Sequence, residues 1–245
     1  MIEFQKVTLT YGSRTVLQDL SFYIDSDERV AILGGSGEGK TTILKLILGL
    51  LRPDGGRILI DGEDISEKTE AQLRWDRMKF SIVFQEGALF DSLSVKENVA
   101  FCLREYTPSS EEEIDRRVRS LLRVVGVEQA LHLMPDELSG GMHRRVAIAR
   151  SLATTDPWMF LYDEPTSGLD PVNADKICNL IRSLAQDGKG LIIVTHKAID
   201  ALKVAHRFLF LKDGRLLFDG GQRDLLEASE PSIRDFMSEL YYHVT

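Results

Sequence analysis

Cysteine is scarce in this sequence, which has 245 residues and only two cysteines, Cys102 and Cys178. They lie far apart and do not have the short spacing of zinc ligands. Small secreted domains that depend on disulfides need many more cysteines than this. We therefore expect two small apolar residues that stay reduced in a cytosol, and neither a metal cluster nor a disulfide framework.

Long apolar runs are also missing. The most apolar stretch, residues 44–51, contains Lys45. It is far shorter than the roughly 18 residues that a membrane-spanning helix needs. The first residues alternate like a strand and show no basic segment followed by an apolar one, so we expect no secretory signal. Any role at a membrane is therefore expected to depend on a partner chain.

The charge balance lacks the basic excess that is typical of proteins that wrap nucleic acid. Asp and Glu number 38 against 30 Lys and Arg, which gives a formal net charge of −8. Hydrophobic residues make up 43% and charged residues 28%, the balance of an ordinary soluble globular protein. The length suits one large domain that carries a sub-domain. We expect no nucleic-acid partner.

Apolar patterning predicts strands that alternate with helices along most of the chain. The predicted strands are residues 2–9, 16–24, 29–33, 57–60, 80–84, 158–162, 190–195, 207–211 and 215–218. The predicted helices are residues 41–51, 111–125, 141–154, 171–186 and 231–242. This alternation favours an α/β fold with a mostly parallel sheet. We predict one domain over residues 1–245, with a core (1–86 and 157–220), an inserted helical sub-domain (87–156) and a helical tail (221–245).

A glycine-rich segment separates the predicted strand 29–33 from the helix 41–51. It fits the pattern G-x-x-x-x-G-K-S/T and reads Gly34-Gly35-Ser36-Gly37-Glu38-Gly39-Lys40-Thr41. Glycines let backbone N–H groups curl round a phosphate chain, and the helix that follows offers its positive end to the phosphates. Lys40 is expected to reach the β and γ phosphates, and the Thr41 hydroxyl is expected to hold Mg²⁺. The segment predicts a site for a nucleoside triphosphate that also includes Thr42.

Two acids follow the apolar strand 158–162. Strand ends beside a phosphate loop are where a second group that orients Mg²⁺ belongs, and Asp163 has that position. Glu164, one residue later, is expected to orient or deprotonate the attacking water. An apolar strand that ends in acids is an ordinary feature by itself. Together with the phosphate loop it predicts a hydrolytic site.

A third motif, Leu138-Ser139-Gly140-Gly141-Met142, resembles the LSGGQ signature of ABC ATPases. Other residues match that family in order and spacing. They are Tyr11 (adenine-stacking aromatic), Gln85 (Q-loop), Ser167-Gly168-Leu169-Asp170 (D-loop) and His196 (switch histidine). The motifs cover the chain from Tyr11 to His196. The chain is therefore similar to ABC ATPases over most of its length.

The resemblance implies a P-loop NTPase (RecA-like) core with an antiparallel β sub-domain and an inserted α-helical sub-domain. It implies ATP and Mg²⁺ as cofactors and the catalytic residues Glu164, His196, Gln85 and Lys40. The implied metal-site residues are Thr41, Gln85 and Asp163. The implied nucleotide contacts are Tyr11, Gly34, Gly35, Ser36, Gly37, Glu38, Gly39, Lys40, Thr41, Thr42, Ser139, Gly140, Gly141 and Asp170. In the family, two cassettes pack head to tail, and each signature covers the γ-phosphate of the other chain.

Met142 departs from the family's usual Gln. A thioether cannot donate the hydrogen bond that an amide donates, so any contact made through that amide elsewhere is in doubt here. Ser139 and the two glycines after it are intact, so function need not be lost.

Three segments resemble the ATPases of MCE-type phospholipid transport systems more specifically: residues 84–99, 138–145 and 232–237. This resemblance implies an ATPase subunit on the cytoplasmic face of the inner membrane. Its implied partners are a permease subunit and an MCE-type substrate-binding protein. An amino-acid or other small-solute importer is an alternative, and a soluble ABC ATPase of an assembly complex is another. The cargo and the transport direction do not follow from the sequence.

Two surfaces have more than one interpretation. Leu89, Phe90 and Leu93 are expected to be exposed and to form a socket for a partner helix, or else to pack inside the helical sub-domain. The helix 231–242 is expected to pack on its own core, or else on a sister subunit.

Overall fold

Ten strands and nine α-helices form the described part of the chain, which is residues 1–153, 157–186 and 188–242 of the computed structural model. The strands are β1 (Ile2–Tyr11), β2 (Arg14–Ile24), β3 (Arg29–Leu33), β4 (Gly55–Ile60), β5 (Glu63–Asp64), β6 (Phe80–Val83), β7 (Met159–Asp163), β8 (Gly190–Thr195), β9 (Arg207–Lys212) and β10 (Arg215–Gly221). The helices are α1 (Lys40–Ile47), α2 (Glu70–Arg77), α3 (Val95–Tyr106), α4 (Glu111–Val124), α5 (Gly140–Ser151), α6 (Pro171–Leu184), α7 (Ala198–Val204), α8 (Gln222–Leu226) and α9 (Pro231–Tyr242).

The strands form two sheets. The smaller sheet is antiparallel, with the order β2-β1-β4-β5. Its strands alternate in the manner that one buried face requires: in β1, Ile2 and Phe4 are buried, while Glu3 and Gln5 lie on the other face. The larger sheet has the order β10-β9-β3-β8-β7-β6, and it is parallel except for the hairpin of β9 and β10.

The central strands of the larger sheet are buried on both faces. All residues of β7 and β8 are buried, which explains why these strands are apolar runs without alternation. Antiparallel strands and α1 cover one face, and α5, α6 and α7 pack with the other face in a second core cluster. The carboxyl ends of β3, β7 and β8 therefore meet at one edge of the sheet, where α/β proteins bind their ligands.

A helical segment lies between β6 and β7 in the chain, as the sequence predicts. The starts of α3 and α4 are fixed by reciprocal caps, in which Ser94 and Ser110 accept backbone N–H groups while Glu97 and Glu113 accept back. Apolar residues of α3, α4 and α5 join the same buried cluster as the larger sheet. No helix in the described residues is both long and apolar enough to span a bilayer.

Most predicted elements are present, with shifts of a few residues at their ends. The helix predicted for residues 41–51 ends at Ile47, and α5 ends at Ser151, while the predicted end at Thr154 lies outside the described residues. Helices α2, α3, α7 and α8 were not predicted individually. The exposure expected for Leu89 is wrong, because its side chain is buried in the larger core cluster. The limits of the core, the helical sub-domain and the tail stay a prediction.

Candidate nucleotide and hydrolysis site

The glycine-rich loop, residues 34–39, joins β3 to α1 at the carboxyl edge of the sheet. Its shape depends on glycine at two positions. Gly34 has φ 153°, and a Cβ there would lie 2.5 Å from the Leu211 carbonyl oxygen. Gly39 has φ 96°, and a Cβ there would lie 2.9 Å from Leu17 Cδ2. No side chain caps the start of α1, so its first backbone N–H groups remain available to an anion.

Lys40 is the first residue of α1 and is only 6% exposed. Its Nζ donates to the carbonyl oxygens of Gly34 and Gly35 at 2.9 and 2.8 Å. The same Nζ lies 3.7 Å from Oε1 of Glu164. Burial lowers the pKa of Lys40, while the nearby carboxylates of Glu164 and Asp163 raise it in part. A buried ammonium with these partners is suited to bind a phosphate group.

Asp163 ends β7 beside the start of α1. The Thr41 hydroxyl donates to Asp163 Oδ1 at 2.9 Å. Burial raises the pKa of Asp163, and the hydrogen bond from Thr41 lowers it in part. The described residues contain no group of three His, Cys, Asp or Glu side chains that could hold a metal alone. A hydroxyl and one carboxylate nevertheless fit Mg²⁺, which takes oxygen ligands and binds with few protein groups plus phosphates.

Glu164 follows directly and is 6% exposed. Its Oε1 lies 2.8 Å from His196 Nδ1, and its Oε2 accepts the Thr195 hydroxyl at 3.2 Å. Its φ is 46°, a conformation that costs a non-glycine residue about 1–3 kcal/mol and is found where surrounding structure demands it. The carboxylate is thus held between Lys40 and His196, in a position to orient a water and to accept its proton.

A cleft of about 350 Å³ opens over these groups. The predicted residues that line it are Tyr11, Ser36, Gly37, Gly39, Lys40, Thr41, Thr42, Gln85, Glu164 and His196. Gln85 Nε2 lies 3.5 Å from Ser167 Oγ, so the Q-loop side chain reaches the segment after Glu164. The Glu38 carboxylate instead accepts from Lys212 and from the Asp213 backbone, so its side chain is turned to the β9–β10 hairpin.

The signature residues Ser139, Gly140 and Gly141 are not among the residues that line this cleft. Ser139 Oγ accepts the Met142 N–H at 3.3 Å and begins α5. Asp170, predicted as a nucleotide contact, likewise caps α6 through the Asn173 N–H at 3.0 Å and is not part of the cleft lining. The chain therefore carries one phosphate-binding loop in its own cleft and a second glycine-rich helix start elsewhere.

Three residues that sequence reasoning missed contact this site. Arg14 lines the cleft and donates to the Gly37 carbonyl at 3.3 Å. Thr195 holds Glu164, and its place at the end of a predicted strand was a usable signal. Arg144 donates to the carbonyl oxygens of Phe84 and Gln85, which no local pattern could indicate.

The loop after β3, the two acids at the end of β7 and the parallel sheet between them define a P-loop nucleoside triphosphatase. A family model described as ABC transporter matches residues 17–167. The chain therefore belongs to the ABC transporter family, and it is an ATP-binding ATPase. The predicted family, fold class and ATPase activity are confirmed.

Individual relatives and one solved structure agree with this assignment. The intermembrane phospholipid transport system ATP-binding protein MlaF of Haemophilus influenzae is 37% identical over 97% of this chain and 90% of its own. A protein of Mycobacterium leprae named "Probable ribonucleotide transport ATP-binding protein mkl" is 40% identical over 97% of this chain and 68% of its own. The solved structure is a dimeric ATP-binding cassette in a post-hydrolysis state, bound to ADP and Pi. It superposes on this chain with a TM-score of 0.83 and 33% sequence identity, over 90% of this chain and 98% of its own.

Proposed function

We propose that this chain hydrolyses ATP to drive phospholipid transport through a separate permease subunit in the inner membrane, at its cytoplasmic face. The observation that carries the cargo is the match to MlaF, which spans nearly the whole of both chains. Since no helix in the described residues could cross a bilayer, the membrane path is assigned to the partner. An MCE-type substrate-binding protein is proposed as a further partner of the complex. Nucleic acid is not proposed as a partner. The similarity to mkl supports a second candidate cargo, ribonucleotides.

Catalysis is proposed to use the groups described above. The loop 34–39 and Lys40 bind the phosphates, and Tyr11 at the cleft mouth stacks on the adenine. Thr41, with Asp163 and Gln85 beside it, would hold Mg²⁺, which would neutralise phosphate charge when bound. Water attacks the γ-phosphorus, the bond to the β–γ bridging oxygen breaks, and Glu164 takes the proton of the water.

The proposed active form is a head-to-tail dimer of this chain. Ser139, Gly140 and Gly141 start a helix outside the chain's own cleft, and the solved cassette of similar fold is a dimer. A glycine-rich helix start is suited to bind a γ-phosphate presented by a second copy. Asp170, at the start of α6, is then also proposed to act across the dimer.

Replacing Glu164 by Gln tests the hydrolytic part. The amide keeps the shape but cannot accept a proton at neutral pH, so ATP hydrolysis should fall by about 10² or more while ATP still binds. ATP should then trap a stable dimer, measured on a sizing column. Glu227→Gln is the matched control, because this exposed carboxylate pairs with Arg223 at the end of α8 and is not among the residues that line the cleft. Hydrolysis near the wild-type rate in Glu164→Gln would show that another group activates water.

The cargo is tested by purifying the chain from membranes together with the integral subunit it binds. The proposal expects a permease that moves labelled phospholipid between vesicles in an ATP-dependent way once the complex is reconstituted. A complex that moves ribonucleotides and leaves phospholipids in place would favour the second candidate.

A further inference from the structure

Helix α5, which begins at the signature, also holds the segment that follows β6. Arg144 is 7% exposed, and its Nη1 donates to the carbonyl oxygens of Phe84, at 3.1 Å, and of Gln85. Arg150, further along the helix, donates to the Ala88 carbonyl, and its guanidinium lies 4.5 Å from the ring centre of Phe90. One helix therefore contacts residues 84–90 at both ends.

The middle of this segment is in direct contact with the same helix. Gly87 has φ 74°, and a Cβ there would lie 3.1 Å from Ala147 Cβ and 3.1 Å from His143 Cε1. Even a methyl group there would require the segment or these side chains to move by a few tenths of an ångström. Because the packing is this close, the segment and the helix have little room to slide past each other. A displacement of the helix is therefore transmitted to the segment.

The buried guanidinium of Arg144 has a particular set of partners. Its hydrogen bonds within the described residues go to the two carbonyls, and the Asp163 carboxylate attracts it from further away. Burying a cation is costly unless hydrogen bonds and nearby carboxylates compensate for its lost hydration. The two Q-loop carbonyls make the direct contacts that position this side chain.

Arg144 lies five residues after Ser139 on the same helix. At 1.5 Å per residue, the two Cα atoms are about 7.5 Å apart along the axis of a stiff element. On the other side of the contact, Gln85 lines the chain's own ATP cleft. Arg144 thus lies between a helix start outside that cleft and a side chain within it.

We propose that Arg144 is a positioning residue that sets the place of Gln85 according to the position of the signature helix. The proposal rests on the proposed head-to-tail dimer: when Ser139 engages the ATP bound by the second chain, α5 moves and carries Gln85 with it. Each ATP bound by the partner would then adjust the cleft of the chain that contacts it. Arg144 acts through Gln85 and does not itself touch the nucleotide.

A double-mutant cycle on the full chain tests this. Arg144→Gln should lower the steady-state kcat for ATP about tenfold with less than about a twofold change in KM, because it disturbs an arrangement needed after binding. If Arg144 acts through Gln85, the double variant with Gln85→Ala should be no slower than Gln85→Ala alone, within about twofold. Arg145→Gln is the matched neighbour and should leave kcat unchanged.

Several outcomes overturn the inference. If the losses in kcat multiply in the double variant, Arg144 acts independently of Gln85 and its role is structural. If kcat is unchanged in folded Arg144→Gln, hydrolysis does not depend on Arg144. If Arg144→Gln does not fold, Arg144→Lys replaces it in the same cycle, because a lysine keeps the charge and can reach one carbonyl. Multiplying losses would leave the Glu164→Gln result standing, so failure here is distinct from failure of the proposed function.

Discussion

At the scale of single residues, Tyr162 has an unusual environment. It lies in β7, one residue before Asp163, and its side chain is fully buried against Phe160. Among the side-chain atoms of the described residues, its hydroxyl oxygen is the one buried atom that has no hydrogen-bond partner. Burial raises the pKa of Tyr162, so the phenol stays neutral. A buried hydroxyl without a partner costs about 1–3 kcal/mol.

Tyr162→Phe should therefore stabilise the protein. The change removes the unpaired oxygen and keeps the ring, so we expect the free energy of unfolding to rise by about 1 kcal/mol and the Tm by about 2–4 °C. Tyr23→Phe is the control, because the Tyr23 ring is exposed and its hydroxyl is free to contact water. Thermal melting of both variants is the measurement, and a lower Tm for Tyr162→Phe would mean that the hydroxyl has a partner in solution.

At the scale of elements, the β4 strand of the smaller sheet depends on a glycine. Gly56 has φ 79°, and a Cβ there would lie 2.3 Å from the Lys6 carbonyl oxygen and 2.4 Å from that of Gln5. Gly62, after the same strand, has φ 81° but no atom within 4 Å of its Cβ position. A comparison of the same substitution at Gly56 and Gly62 therefore distinguishes the cost of the left-handed conformation from the cost of a clash with the backbone of β1.

Alanine at these two positions should have different effects. Gly62→Ala should lower the free energy of unfolding by about 1–2 kcal/mol, because alanine must adopt the left-handed conformation there. Gly56→Ala adds overpacking of a further roughly 1–3 kcal/mol, because β1 must move away from β4. Urea unfolding of both variants measures the difference. Equal losses at the two positions would show that β1 accommodates the methyl group.

The surface near the Q-loop is a second feature at this scale. Phe90 is 38% exposed and its ring lies 4.9 Å from that of Phe101, which is also exposed on α3. Leu89, beside it, is buried. The proposed socket for the permease is therefore smaller than the sequence suggests, and Phe90 with Phe101 is its apolar part.

Phe90→Asp should leave the free chain folded and able to bind ATP but abolish association with the permease. A partly exposed position tolerates a charge in the free protein, whereas a desolvated carboxylate at an interface costs several kcal/mol. Leu217→Asp, at an exposed apolar residue on β10, is the control and should bind normally. Melting and pull-down are measured together. A large fall in Tm would place Phe90 in the core, and normal pull-down would place the permease contact elsewhere.

At the scale of the whole molecule, the proposed dimer predicts that two inactive variants complement each other. Lys40→Ala removes the cation that pairs with phosphate, and Ser139→Glu places a like charge against the γ-phosphate of the partner chain. A mixed dimer retains one composite site made of intact Lys40 from one chain and intact Ser139 from the other. Random mixing of equal amounts should restore about a quarter of wild-type ATPase activity. Half of the dimers are then heterodimers, and each heterodimer has one intact site instead of two.

The prediction of recovered ATPase activity in the mixed Lys40→Ala and Ser139→Glu dimers can be contradicted. No recovery, with heterodimers proven by tagged co-purification, would mean that both sites must be intact or that Ser139 does not act in trans. Titrating ATP binding separates these outcomes, because one intact composite site still binds nucleotide in the first case.

Local sequence was sufficient for the phosphate loop and for most strands and helices. The loop could be predicted because eight contiguous residues specify a backbone shape that only glycine permits, as Gly34 and Gly39 show. The strands β3 and β8 could be predicted to the residue, because buried parallel strands are uninterrupted apolar runs. Helices α2 and α7 were missed, since each has eight residues or fewer and too few turns to show a period.

The sequence by itself therefore determined the fold class, the family and most of the groups that face the cleft, because these depend on short motifs and on backbone periods. Only the tertiary structure decided how those groups meet. Glu164 follows β7 and His196 follows β8, yet their side chains lie 2.8 Å apart, and Arg144 donates to a carbonyl sixty residues away. Such contacts depend on how elements distant in the chain pack, and the burial of Leu89 is set in the same way by neighbours that no local pattern contains.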